Sequence, residues 1–425
     1  MAFPAYRSGF WFSPLTLLLL TNMALPLAAQ SNDRVLEHAR KLLASFPLVD
    51  GHNDLAWEIR QSATAPRDVD AYDLRKRTPG HTDFERLARG KLGAQFWSIY
   101  VPGDMQDSGY ARVQLEQFDI ARRIIARYPD RLALALSAED IERHFTRGRI
   151  GSLLGMEGGH VIENSLGALR MYYQLGARYL TLTHNVTLDW ADAALDTARH
   201  GGLTDFGREV VREMNRLGML VDLSHVSPAV MSDALEVTDT PVIFSHSSAR
   251  ALTDHPRNVP DSILARLPRN GGVVMVTFVP AFVSPEAAAW DTRYQQERRR
   301  LEASVSDTAE RRRLIDEWKA AHPQPRATLS QVAGHIEHVR KVAGIDHVGI
   351  GSDFDGIDTV PEGLEDVSTF PQLFAELIRR GWSDSDLKKL AGENILRALR
   401  AAEASAARLR RTRRPSTKTI EEVDK

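Results

Sequence analysis

The sequence predicts an α/β fold, a (β/α)8 barrel of the TIM type with a helical insertion before its last strand. Three observations predict it. Eight short apolar runs of strand character recur along the 425 residues, at 48–51, 95–101, 150–156, 179–183, 219–224, 242–245, 272–278 and 348–352. Amphipathic segments with helical spacing lie between them, among them 110–128, 167–176, 204–217 and 227–235. Such alternation calls for parallel strands joined by helical crossovers. The length allows one barrel or two ordinary domains, and the count of eight strands favours one closed barrel. No internal repeat is present.

Taken in order, the strands share one further property: five of them end in a group that can bind a metal. The first, following Pro47, runs into Gly51-His52-Asn53-Asp54, where Gly51 lets backbone pack closely. On an extended segment His52 and Asp54 project from the same face. The third ends in Glu157, followed by Gly158-Gly159, which keep the surroundings free of side-chain bulk. A buried carboxylate is costly unless paired or ligating, and its two oxygens can bridge two ions. The fifth and sixth end alike, in Ser224-His225 and Ser245-His246, and the last in Asp353. A His-x-Asp pair or a lone strand-end histidine is common by chance. A parallel barrel, however, gathers its C-terminal strand ends around one opening, so these groups can meet there. Imidazole and carboxylate together suit zinc.

The other histidines read differently. His38, His81, His144, His200, His322, His335 and His338 lie in helical or polar contexts and are expected at the surface, and His347 enters the last strand at its far end. His160 is expected outside the ligand set, and His255, in the loop before Pro256, has no assignment.

Two flanking regions and one insertion depart from the barrel pattern. Arg7, then apolar chain through 10–12, 15–20 and 23–29, has the order of a secretory signal, with cleavage expected after Ala29 and an uncleaved anchor as the alternative. Residues 30–404 form the barrel domain, and 405–425 read as a charged, disordered tail without an apolar stripe. Residues 287–326, rich in Glu, Arg, Gln and Asp, read as a solvent-facing helical excursion that could serve as a lid or merely connect. The chain has no cysteine, so its stability comes from core and metal rather than disulfides. With 54 basic against 56 acidic residues it has no broad basic surface for nucleic acid. A soluble periplasmic or secreted protein is expected, with no stable membrane partner once the signal is removed.

Taken together, Gly51-His52-Asn53-Asp54, Gly155-Met156-Glu157-Gly158, Leu182-Thr183-His184-Asn185, Asp222-Leu223-Ser224-His225, Ser245-His246-Ser247 and Gly351-Ser352-Asp353-Phe354-Asp355-Gly356 resemble the membrane (renal) dipeptidase family of zinc peptidases. The resemblance spans about 47–397. It implies two zinc ions per chain, one on His52 and Asp54, the other on His225 and His246, bridged by Glu157 and a water or hydroxide that attacks the peptide bond. It implies that His184 contacts substrate and stabilises the oxyanion, that Arg257 binds the dipeptide's terminal carboxylate, and that Asp353 shuttles the proton near the substrate amino group. Each role has physical sense: paired metals activate water, an oxyanion needs a donor, and a guanidinium fork matches a carboxylate. A homodimer is compatible with the resemblance.

This chain departs from the family at Phe282, where many relatives carry a tyrosine, so one polar contact to substrate is in doubt. Two rival functions are open at this point. One is another binuclear amidohydrolase, acting on N-acyl amino acids, cyclic amides or β-lactams. The other is a metal-containing binding protein without turnover.

Overall fold

Strands buried on both faces are near-continuous apolar runs, and here they form a ring of parallel ladders. The computed structural model describes residues 1, 2, 4, 27–105 and 109–424. Its strands are β1 (Leu48–Asn53), β2 (Leu92–Tyr100), β3 (Leu132–Leu134), β4 (Ile150–Glu157), β5 (Ala177–Thr181), β6 (Leu220–Asp222), β7 (Val242–Ser247), β8 (Val273–Val276) and β9 (Val348–Ile350). Eight of them close in the order β1-β2-β4-β5-β6-β7-β8-β9, with β9 returning to β1. Each of these eight contains one of the predicted runs or overlaps it.

The ninth strand, β3, was not predicted. It pairs Leu132–Leu134 with Ile150, Gly151 and Ser152 at the foot of β4, below the stretch of β4 that β5 occupies. Leucine and alanine are helix formers, and three residues are too few to show a period of two.

Side chains alternate between the two faces of each strand. Val49, Phe96, Leu153, Tyr179, Leu220, Ile243, Val273 and Met275 fill the barrel interior. Their neighbours Leu48, Leu154, Val221, Phe244 and Val274 face the surrounding helices. The helix Asn394–Thr412 closes the lower end, adding Ile395, Leu396 and Leu399 to the inner cluster. Asn394 Nδ2 fixes it there by donating to the carbonyls of Ile345 and Val348 at 2.7 and 2.9 Å. The upper half of the interior is left open for polar side chains. Gly51 and Gly351 both lie against the Ser245 carbonyl, where an added Cβ would stand 2.4 and 1.8 Å from that oxygen.

The insertion is a helical hairpin, Pro285–Ser304 and Thr308–Ala321. Its outer faces are solvated as expected. Its inner face carries Trp290, Tyr294 and Trp318 in mutual ring contact, and Trp290, Asp291, Tyr294, Gln295 and Lys319 wall the central cavity. It is therefore more than a connection.

The segment expected to be a disordered tail is instead ordered against the barrel. The helix Asn394–Thr412 runs into it, and Ala406 and Leu409 there extend a narrow buried stripe begun by Leu399 and Ala402, a pattern that its two alanines obscure. Beyond Thr412 the chain returns to the helix Asp205–Leu217. There Asp424 accepts hydrogen bonds from Thr204 Oγ1 and Phe206 N at 2.6 and 2.9 Å, capping its N-terminus. The stretch read as a secretory signal lies outside the described residues except for Met1, Ala2, Pro4 and 27–29. Among the described residues no helix is long and apolar enough to cross a membrane.

Three histidines expected at the surface are not there. His144 and His335 are buried, and His81 lines the central cavity. His335 accepts the Ala249 amide at Nδ1 (3.1 Å) and faces the Val283 carbonyl with Nε2 (3.3 Å), so it packs as a neutral ring. Burial lowers its pKa to about 4. Between pH 6.5 and 4 the unfolded chain therefore binds a proton that the folded chain refuses. Stability is expected to fall with acidification across that window, by up to about 3 kcal/mol from this group. Denaturant unfolding of wild type and His335→Asn over pH 4–7 should show the smaller pH slope in the variant.

Candidate active site

The strand-end groups converge above the inner layer of side chains. His52 Nε2 stands 3.1 Å from Asp54 Oδ2, 3.5 Å from Glu157 Oε2 and 3.8 Å from Asp353 Oδ1. The other oxygen of Glu157 serves the opposite side: Oε1 is 3.0 Å from His225 Nε2, 3.5 Å from His246 Nε2 and 3.9 Å from His184 Nε2. Glu157 thus sits between His52 and the histidines at 184, 225 and 246, one oxygen to each side. His225 and Asp353 hold left-handed backbone, at φ 69° and 67°, a conformation that concentrates at functional sites.

Hydrogen bonds at the far side of each ring set which nitrogen carries the proton. Tyr179 Oη donates to the Gly51 carbonyl (3.4 Å), which leaves it to accept from His52 Nδ1 at 2.9 Å. Ser245 Oγ donates to Asp222 Oδ2 (2.6 Å) and so accepts from His246 Nδ1 at 2.9 Å. His225 Nδ1 donates to Asn185 Oδ1 at 3.0 Å. All three rings therefore direct an Nε2 lone pair inward, the arrangement that second hydrogen bonds impose on ligating histidines.

That arrangement fits a bound cation. His225 Nε2 and His246 Nε2 lie 2.9 Å apart with lone pairs facing, and the positive group that meets them is Arg257, whose Nη2 is 2.8 Å from His246 Nε2. His52 Nε2 and Asp54 Oδ1 are buried without a hydrogen-bond partner. Without a metal the His52 pKa is raised well above its usual value: burial opposes this most strongly, but Tyr179, Glu157 and Asp54 outweigh it. The anionic pocket thus calls for a positive charge at Nε2 that a bound cation would supply in place of the proton. Burial, with nearby cationic groups, pushes His184, His225 and His246 well below theirs, so all three rings are neutral. Three sets have ligand atoms within 4.8 Å of one another: His52, Asp54 and Asp353; His52, Glu157 and His246; Glu157, His184 and His225.

The cavity above has a volume of about 810 Å³. Arg257 lines it, 1 % exposed, with Nη1 lacking any partner and its guanidinium carbon 5.2 Å from the centre of the Phe282 ring. Burial lowers the Arg257 pKa to about 10, which leaves it cationic at neutral pH. Asp353 is raised well above the usual carboxylate range, by burial first and by Asp54 and Glu157 in addition.

A family model for the membrane dipeptidases, peptidase family M19, matches residues 36–413. The chain belongs to this family. As a metallo-dipeptidase it has a relative in the dipeptidase verJ of Clonostachys rogersoniana, 41 % identical over 391 residues, covering 89 % of this chain and 90 % of that one. It is similar in structure to the probable dipeptidase PvdM of Pseudomonas aeruginosa, with a TM-score of 0.77 and 25 % identity over 88 % of this chain and all of that one. It is also similar to a metallo peptidase of Rhodobacter sphaeroides liganded with a phosphinate mimic of the dipeptide L-Ala-D-Ala. That TM-score is 0.69, at 25 % identity over 84 % of this chain and 99 % of that chain.

In this dipeptidase the groups that aim the histidines, Tyr179, Asn185 and Ser245, were not among the predicted site residues. Tyr179 crosses the barrel to reach His52, over Gly155, where a Cβ would lie 2.0 Å from its ring. Only the glycine hinted at this. Tyr179→Phe keeps the ring and removes the acceptor. It is expected to weaken metal affinity about 10–100-fold with little change in melting temperature, as read by chelator competition and thermal unfolding.

Proposed function

We propose that this chain is an exported dipeptidase that holds two zinc ions and hydrolyses the peptide bond of dipeptides with free ends. The observation that carries this reading is the division of Glu157 between two groups of inward lone pairs, beneath a buried guanidinium with an unpartnered Nη1. His52 and Asp54 would hold one ion, His225 and His246 the other, and Glu157 both. The ions supply Lewis acidity toward the scissile carbonyl and lower the pKa of the attacking water.

The chain's own groups supply the rest. Arg257 takes the substrate's terminal carboxylate in a site with no competing protein anion on Nη1. His184, neutral and 3.9 Å from Glu157 Oε1 through Nε2, donates to the oxygen that gains charge as the carbonyl is attacked. Asp353 accepts the proton released by water and returns it to the departing amine, a task for which a raised pKa suits it. Water is consumed and two amino acids leave.

The test is metal analysis of purified protein beside a panel of dipeptides and N-acyl amino acids. Two zinc ions per chain and turnover of the dipeptides are expected. Fewer than two metals in active protein, or preference for the acylated amino acids, would overturn the reading. Export rests on the basic-then-apolar order from Arg7 to Ala29, and predicts a mature N-terminus at Gln30.

A further inference from the structure

We propose that His255 is a positioning residue for Arg257, and that Asp291 joins it to the helical hairpin. Through this link the insertion holds the receptor for the substrate's terminal carboxylate. The inference rests on the carboxylate role proposed for Arg257.

A guanidinium with one free donor pair is useful only if its plane is held still. The Arg257 guanidinium ends a row of three planar groups, with Phe282 and then His255 behind it. Its guanidinium carbon lies 5.2 Å from the centre of the Phe282 ring. The His255 ring packs against Phe282 at 4.5 Å, tilted by 31°. His255 Nδ1 also accepts the backbone N–H of Arg257 itself, at 3.2 Å. The histidine thus meets the arginine twice, through the chain and through the ring between them.

Acceptance at Nδ1 places the proton of a neutral His255 on Nε2. That nitrogen faces Asp291 Oδ2 at 3.8 Å, too far for a direct hydrogen bond, so the carboxylate acts on the N–H through its charge. Asp291 lies in the first helix of the hairpin, where Gln295 Nε2 donates to its other oxygen at 3.3 Å. The carboxylate therefore favours the tautomer that Arg257 needs. Phe282 is fixed from below, since Asn258 Nδ2 donates to its carbonyl at 2.8 Å. Here the ring acts as a spacer between His255 and Arg257, a task that needs no hydroxyl. Phe282 is thus adequate to it despite lacking the tyrosine oxygen.

The experiment compares the zinc-loaded enzyme on L-Ala-L-Ala and on L-Ala-L-Ala amide, which lacks the carboxylate. His255→Ala and Asp291→Asn are each expected to lower the acid-to-amide ratio of kcat/KM by about tenfold, the worth of one hydrogen bond to a charged group. The loss should fall on KM for the acid, with kcat retained. Neither substitution should lower the ratio further in an Arg257→Ala background. If Arg257→Ala alone leaves the ratio unchanged, the carboxylate role of Arg257 fails. If Arg257→Ala lowers it but the His255 and Asp291 variants reduce both substrates equally, the positioning role is overturned. A ratio that falls in His255→Ala and not in Asp291→Asn overturns the link to the hairpin.

Discussion

Asp353→Asn is expected to lower kcat by roughly 10²–10⁴-fold, the usual loss when a positioned acid–base group is removed, while metal content stays at the wild-type level. Asparagine is the informative substitution for two reasons. It preserves shape in a crowded spot, where Asp353 Oδ1 lies 2.6 Å from the position a Cβ on Gly356 would take. It also tolerates the φ of 67° at this position, which alanine would not adopt without strain. The backbone contact from Asp353 N to the His52 carbonyl, 3.1 Å, is untouched.

The result also separates two readings of the geometry. Asp353 shares a metal-competent set with His52 and Asp54, so proximity alone would allow it to be a ligand. A ligand lost to an amide should lower metal content together with activity. A proton carrier lost to an amide should leave metal in place and remove turnover. Full activity in metal-replete Asp353→Asn would exclude the shuttle, since an amide cannot carry the proton from water to the leaving amine.

Much of the barrel was readable because parallel strands buried on both faces, such as β8 with Val273–Val276, are apolar without interruption. Their ends were less readable. The ladder of β6 stops at Asp222, and His225 itself stands on left-handed backbone that no local pattern signals. The metal-binding candidates could be found one strand at a time, since each follows its own apolar run. Arg257 could not. Nothing in Asp254-His255-Pro256-Arg257-Asn258 marks it as buried, and only the family resemblance pointed to it. Tyr179 and Asn185 were invisible for a different reason. They act on histidines 127 and 40 residues away, through contacts between separate strands that no sequence period encodes.

Arg257→Ala is expected to raise KM for dipeptides by an amount equivalent to ~2–5 kcal/mol, the cost of removing one partner of a desolvated charge pair. Arg257 is buried, and Nη1 has no partner, so the protein has already met the cost of placing a charge there. A substrate carboxylate entering the variant would lose water and gain no cation in return. The effect should fall mainly on KM, because the carboxylate is bound alike in ground and transition states. Part of kcat could also change, since Nη2 lies 2.8 Å from His246 Nε2. Metal content measured on the same sample distinguishes a disturbed His246 from a lost carboxylate contact. Arg257→Lys sharpens the comparison: it restores charge without the planar fork, so it should recover binding only in part. An unchanged KM in metal-replete Arg257→Ala would mean that Arg257 does not hold the terminal carboxylate.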